Sequence, residues 1–194
     1  EMALIIDEEI YTASAAAGPA IEGQNIKKGK LASPGAICDI NKEETYWRMK
    51  VLNDKLIITN GDLINPDNGE IIEKSDIKAN GITGTGVIAA FSLGLEDELI
   101  KDGKIKNTIY LQDDVYLNQD DISNIGKALG AFRAGQLTLS ESADILIDEI
   151  ENVYMAGASG FYVDAEKSLN IGQIPPCPSH VYQIGNTSLA MAKD

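Results

Sequence analysis

Apolar and polar positions alternate from the start of the chain. Met2-Ala3-Leu4-Ile5-Ile6 and residues 9–15 read as two strands joined by the acidic turn Asp7-Glu8. Small residues follow from Ser14 to Ala20, where backbones can approach one another or a ligand closely. Residues 45–53 and 55–59 predict a hairpin turning at Asn53-Asp54. Asn65-Pro66-Asp67-Asn68-Gly69 predicts a surface turn. The period then lengthens. Ile88, Phe91, Leu95 and Leu99 mark one face of a helix that Gly81-Ile82-Thr83-Gly84-Thr85-Gly86 opens and that runs to about Lys101, closed by Asp102-Gly103. Residues 108–117 predict a single strand. Asn118 caps a longer helix whose buried stripe is Ile122, Ile125, Leu129 and Phe132. Val153-Tyr154-Met155 predicts a short buried strand running into Ala156-Gly157-Ala158-Ser159-Gly160 and another helix. Pro175, Pro176 and Pro178 break the chain before a last strand near Val181 and a helix from Thr187.

Strands alternating with helices predict an α/β layered domain. The early meander of short strands favours a mixed sheet with helices on its faces over a purely parallel one. At 194 residues, 44% apolar and 24% charged, the chain holds enough apolar material for one sizeable core. With aromatics at 6%, that core must rest on aliphatic side chains. Thirty acids against 16 bases give a net charge of -14, which repels phosphate backbones and anionic lipid and argues against nucleic acid and membrane as partners. No apolar run approaches the ~20 residues of a membrane span. Cys38 and Cys177 are too few for a four-cysteine metal or iron–sulfur site. The chain opens directly as a strand with no basic leader, so its start reads as a cut inside a larger protein.

Chemistry is carried first by the two glycine-bearing turns, Gly81 to Gly86 and Gly157 to Gly160. Each stands at the start of a predicted helix, where free N–H groups and the helix dipole favour an anion. Neither continues into Gly-Lys-Ser/Thr, and neither has the G-x-G-x-x-G spacing. Alone, each reads first as a packing turn; their co-occurrence adds some weight to a ligand role. Asp113-Asp114 and Asp120-Asp121 read as solvated surface, the second pair complementing a helix dipole. Glu22 is more suggestive, a single acid in the small, apolar run Ala20-Ile21-Glu22-Gly23. His180 is the sole histidine, so a triad or a metal role has no second member, and no metal site is expected. Cys38 and Cys177 read as inert thiols.

The order of motifs resembles a known family. Residues 14–23, Ala32-Ser33-Pro34-Gly35-Ala36-Ile37, Gly81 to Gly86, residues 127–135, Val153 to Gly160, Ile171-Gly172 and Ile184-Gly185-Asn186 are similar to successive landmarks of the reductive activators of corrinoid proteins. The resemblance implies an ATP-dependent iron–sulfur protein that returns Co(II) corrinoid to Co(I) in a methyltransferase system. It implies a cytoplasmic protein whose partner is a corrinoid protein, with a homodimer allowed. The fold implied is α/β: an RNase-H-like mixed sheet with flanking helices, the second lobe of an actin, sugar kinase and heat-shock-70 type ATPase domain, spanning residues 1–194. The first lobe and the iron–sulfur domain would lie in the parent protein.

Carried over residue by residue, the adenosine motif falls on Gly157, Ala158, Ser159 and Gly160. Gly84, Thr85 and Gly86 resemble a second wall of the nucleotide cleft. Gly18 and Glu22 resemble the segment after a phosphate-binding hairpin, with Glu22 near the nucleotide or its Mg²⁺. Lys127 and Arg133 match basic positions on the long helix, where a solvated face is an equal reading. The resemblance implies ATP and Mg²⁺ for the lobe and the iron–sulfur cluster for the parent; no catalytic residue is assigned. The family's Gly-Thr-Asn phosphate turn would precede Glu1. Two other readings stand beside this one: a small-molecule kinase lobe of the same superfamily, and a non-catalytic dimerisation or docking module.

Overall fold

The computed structural model describes residues 2–15, 25–157, 162–176 and 178–185. The chain forms two compact units, Glu1–Gly18 with Lys127–Asp194, and Pro19–Gly126, so the second is inserted within the sequence of the first.

The inserted unit is built on a five-stranded sheet of β3 (Ala36–Glu43), β4 (Tyr46–Leu52), β5 (Ile58–Ile64), β6 (Ile71–Glu73) and β7 (Gly81–Ile82), in the order β6-β5-β4-β3-β7. The β3–β4, β4–β5 and β5–β6 pairs are antiparallel and β3–β7 is parallel, so the sheet is mixed, as expected. Its core is aliphatic apart from Trp47: Ile37, Ile40, Trp47, Met49, Val51, Ile64 and Ile82 are all but fully buried. Trp47 keeps its indole N–H satisfied by donating to Asp97 Oδ2 at 2.8 Å.

Helix α1 (Gly84–Glu96) packs on β3. Its residues from Gly86 to Gly94 are all buried, so it is covered on every side, more than the one-sided stripe implied. It also ends earlier than the apolar period predicted. Glu96, Asp97 and Glu98 bring negative charge to the negative end of the helix dipole, and Glu98 turns left-handed at φ 55°. Asp97 caps the end, its N–H donating to Leu93 O at 2.9 Å, and Glu98 N donates to Leu95 O at 3.2 Å. Leu99 lies beyond. Asp102-Gly103, at φ 51° and 71°, turns a hairpin between β8 (Ile100–Lys101) and β9 (Lys104–Ile105) instead of terminating a helix.

Three further expectations shift. The β4–β5 hairpin turns through residues 53–57, because Asn53 Oδ1 accepts from both Lys55 N and Ile57 N and holds them out of the ladder. Residues 108–117 fold back on themselves as β10 (Ile109–Tyr110) and β11 (Tyr116–Leu117), with Asp113 at φ 56° in the turn. Asp113 Oδ2 accepts from Ala79 N at 2.7 Å, so this acid holds a neighbouring loop. Helix α2 (Gln119–Ser142) is capped by Asn118, as expected. Asn118 Oδ1 accepts from Asp121 N, and Asp121 Oδ2 accepts from Asn118 N, both at 3.0 Å. Asp121 is therefore no solvated carboxylate: it is 2% exposed and also takes Lys27 N at 2.8 Å.

In the other unit, β1 (Met2–Ile6) and β2 (Glu9–Ala13) pair antiparallel about Asp7 and Glu8, whose φ values of 47° and 74° are those of a tight hairpin turn. The same unit contains the later part of α2, a short 3₁₀ turn (Ile147–Glu149), β12 (Asn152–Ala156), α3 (Ala165–Asn170) and β13 (His180–Gly185). Gly135 of α2 lies against β1: a Cβ there would come within 2.2 Å of Met2 Cε. Among the described residues no helix is long and apolar enough to cross a membrane.

Candidate functional site

β12 and β13 run parallel, pairing Asn152 with His180, Val153 with Val181, Tyr154 with Tyr182 and Met155 with Gln183. The register then slips, so that Ala156 pairs with Gly185. Gly157 at the carboxyl end of β12 has φ 90°, and Gly185 at the carboxyl end of β13 has φ 77°. Two left-handed glycines thus close two neighbouring parallel strands at the same level. Carboxyl ends of parallel strands are where α/β sheets hold ligands, since backbone N–H groups there leave the ladder. A Cβ added at Gly157 would meet nothing within 4 Å. Its glycine serves the backbone conformation and leaves an open approach, as a cradle for a ligand requires.

The first glycine turn is built differently. Thr83 N-caps α1, its Oγ1 accepting from Gly86 N at 3.2 Å. Thr83 N donates to Ile37 O at 2.9 Å, and Thr85 Oγ1 donates to Cys38 O at 2.6 Å. A Cβ at Gly86 would stand 2.4 Å from Ile37 O, closer than any real contact. This glycine lets α1 touch the backbone of β3. The N–H of Gly86 is taken up inside the protein, and the contacts of Thr85 and Gly86 with β3 account for those two residue types without a ligand.

Of the remaining site candidates, Ala158, Ser159, Gly160, Gly18 and Glu22 lie outside the described residues, as do Cys177 and the helix expected from Thr187. Lys127 is exposed, and Arg133 donates to Gln136 Oε1 at 3.3 Å. His180 is exposed and stacks on Tyr182, with ring centroids 5.9 Å apart. Tyr154, expected within a buried strand, is 62% exposed; of its neighbours in β12 only Met155 is buried. Cys38 donates its thiol to Lys50 O at 3.4 Å, and burial, reinforced by the nearby Asp39 carboxylate, pushes its pKa up to about 11. That thiol is neutral and unreactive at ordinary pH. Among the described residues no three His, Cys, Asp or Glu side chains converge as a metal site. Sequence reasoning noted Gly185 only within the landmark Ile184-Gly185-Asn186 and did not make it a site candidate. Its signal was a glycine ending an apolar strand run, the same pattern that singled out Gly157.

All 194 residues match the sequence model of a family described as the C-terminal domain of RACo, the ASKHA domain. The chain is 47% identical over 196 residues to a "[Co(II) methylated amine-specific corrinoid protein] reductase" of Methanosarcina barkeri, covering 100% of this chain and 36% of that protein. It is 25% identical over 210 residues to the corrinoid activation enzyme RamQ of Eubacterium limosum, covering 92% of this chain and 32% of that one. A solved "Reductive activator for corrinoid, iron-sulfur protein" superposes with a TM-score of 0.69 at 22% identity, over 99% of this chain and 31% of its own, a likeness of fold. The chain thus spans 36% and 32% of the lengths of these two curated relatives. With one family's description covering every residue and a relative at 47% identity along the whole chain, this protein belongs to the family of the C-terminal ASKHA domain of RACo.

Proposed function

We propose that residues 1–194 are the nucleotide-binding second lobe of an ATP-dependent reductive activator, one that returns the Co(II) corrinoid of a methylated-amine-specific corrinoid protein to Co(I). The observation that carries this reading is the pair of left-handed glycines, Gly157 and Gly185, at the carboxyl ends of adjacent parallel strands, with open space at Gly157. ATP, when bound, supplies a difference in binding free energy between two conformations of the activator, the only means by which a ligand can drive such a change. The backbone after β12, through Gly157, Ala158, Ser159 and Gly160, borders the adenosine. The backbone at the carboxyl ends of β12 and β13, through Gly157 and Gly185, orients it. Glu22 is the acid we place beside the nucleotide's Mg²⁺, with Gly18 permitting close approach of that segment. Thr85 and Gly86 contribute chiefly by fixing α1 on β3, and Gly84 opens that helix. The electron comes from an iron–sulfur cluster in the remainder of the parent protein, and one electron converts Co(II) to Co(I). The protein works in the cytoplasm.

The test is nucleotide titration of the full-length parent. Gly157→Val should abolish ATP binding while the protein stays folded; unchanged affinity would remove this turn from the site. The isolated 194 residues should show weak or no ATP binding and no turnover. A Cys-x-x-Cys-bearing region elsewhere in the reading frame separates an activator from a small-molecule kinase lobe.

A further inference from the structure

Helix α3 lies between β12 and β13 in the chain, so whatever secures its end also secures the return to β13. That end is a Schellman turn. Gly172 sits at φ 74°, its N–H donates to Leu169 O at 3.0 Å, and Gln173 N donates to Ser168 O at 2.9 Å. Gln136 of α2 braces the same turn: its Nε2 donates to Gln173 O at 2.9 Å and to Gly172 O at 3.5 Å. In this motif the two residues joined by the outer bond, here Ser168 and Gln173, bring their side chains together, and the contact between them is ordinarily apolar.

Here both residues are polar. Ser168 is fully buried, and Gln173 Oε1 is shut away from solvent. Neither Ser168 Oγ nor Gln173 Oε1 has a hydrogen-bond partner among the described residues. A buried polar atom left unpaired loses its hydration with nothing in return. A serine in a helix has a local remedy, and α2 shows it. Ser123, Thr138, Ser140 and Ser142 each donate a hydroxyl to the carbonyl four residues back in their own helix. Ser168 makes no such bond. Nor does its hydroxyl bond Gln173 Oε1, although one can donate and the other accept. The pair is adjacent in the turn, complementary in chemistry and not placed for direct contact, which is the arrangement a bridging water fills.

We infer that one ordered water molecule is built into the end of α3, accepting from Ser168 Oγ and donating to Gln173 Oε1. Two polar partners are the least that hold a water inside a protein, and these two match its lone pairs and its protons. A metal cation would need more oxygen ligands than this pair supplies. The bridge stands in for the apolar contact of the ordinary motif and ties the last turn of α3 to the chain leading to β13. It holds whether or not the glycine turns bind nucleotide.

The experiment uses the full-length parent. Its crystal structure should show one water within about 3.0 Å of both oxygens. Hydrogen exchange at the Gly172 and Gln173 amides, read by mass spectrometry, supplies an independent measurement. Ser168→Ala should speed that exchange about fivefold, because the water loses a partner and Gln173 Oε1 is stranded. Ser168→Ala combined with Gln173→Met, which restores an apolar pair, should bring exchange back to within about twofold of wild type. A protein atom bonded to either oxygen, or no water between them, overturns the inference. Unchanged or slower exchange in Ser168→Ala overturns it too, since removal of an unpaired hydroxyl would then relieve the core. A double variant exchanging as fast as Ser168→Ala, or faster, overturns it as well, because the two residues would then act independently.

Discussion

Gly86 and Gly157 each stand where a strand gives way to the next element, and each is glycine for a different reason. At Gly86 the constraint is space: the carbonyl of Ile37 lies where a Cβ would be. At Gly157 the constraint is backbone conformation: φ is 90°, and the space beyond is open. One glycine brings two parts of the protein together, and at the other an added Cβ would meet nothing within 4 Å. A glycine-rich turn in a sequence therefore names a location without naming a role. What decides is whether the missing side chain would have met the fold or the solvent.

The contrast is sharpest in substitution. Gly86→Val should produce the largest loss. Its side chain must displace backbone on β3, so destabilisation of about 3 kcal/mol or more is expected, read as a fall in the thermal midpoint with ATP affinity lost only as folding is lost. Gly157→Val should invert that ratio. Forcing a β-branched residue to φ 90° costs about 1–3 kcal/mol in backbone strain, while ATP affinity should fall below detection in the folded full-length protein. Equal effects of the two substitutions on affinity per unit of stability would erase the distinction. Thr83→Ala removes the cap from α1 and should cost about 1 kcal/mol in chemical denaturation, with ATP affinity unchanged. A fall in affinity there would restore a ligand role to the first turn.

The smallest effect concerns Cys38, whose carbonyl receives Thr85 Oγ1 and whose thiol reports on that side of the turn. Burial raises its folded pKa from the ordinary 9.0 to about 11. The protonated thiol therefore contributes stability fully present below pH 9 and lost as the pH rises towards 11. Alkylation at pH 8 should be much slower than for an unfolded control, and should accelerate in Gly86→Val.

Local signals in the sequence carried much of the fold. The polar pair Asp7-Glu8 between two apolar runs located the first hairpin, and Asn118 before Ile122 and Ile125 located the start of α2. What escaped depended on partners distant in sequence. Leu99 continued the helical period of Ile88 and Phe91, but the acids Glu96, Asp97 and Glu98 ended the helix before it. Asp121 reads as surface until Asn118 and Lys27 are seen to occupy it. Tyr154 reads as core in an apolar run, yet it is 62% exposed and stacks on Tyr182. In the candidate site, Gly157 was legible from its motif. Gly185 was not, because its meaning arises from the parallel register that sets it beside Ala156.

The insertion of Pro19–Gly126 within the other unit has a consequence for how the protein is made. The β1–β2 hairpin leaves the ribosome before the inserted unit, and β12 and β13 follow only after the whole of it. Closing a loop of that length as disordered chain slows folding. An inserted unit that folds by itself during synthesis draws the two ends together and shortens the effective loop. The strands that end at Gly157 and Gly185 can therefore be completed only after the whole inserted unit has been made.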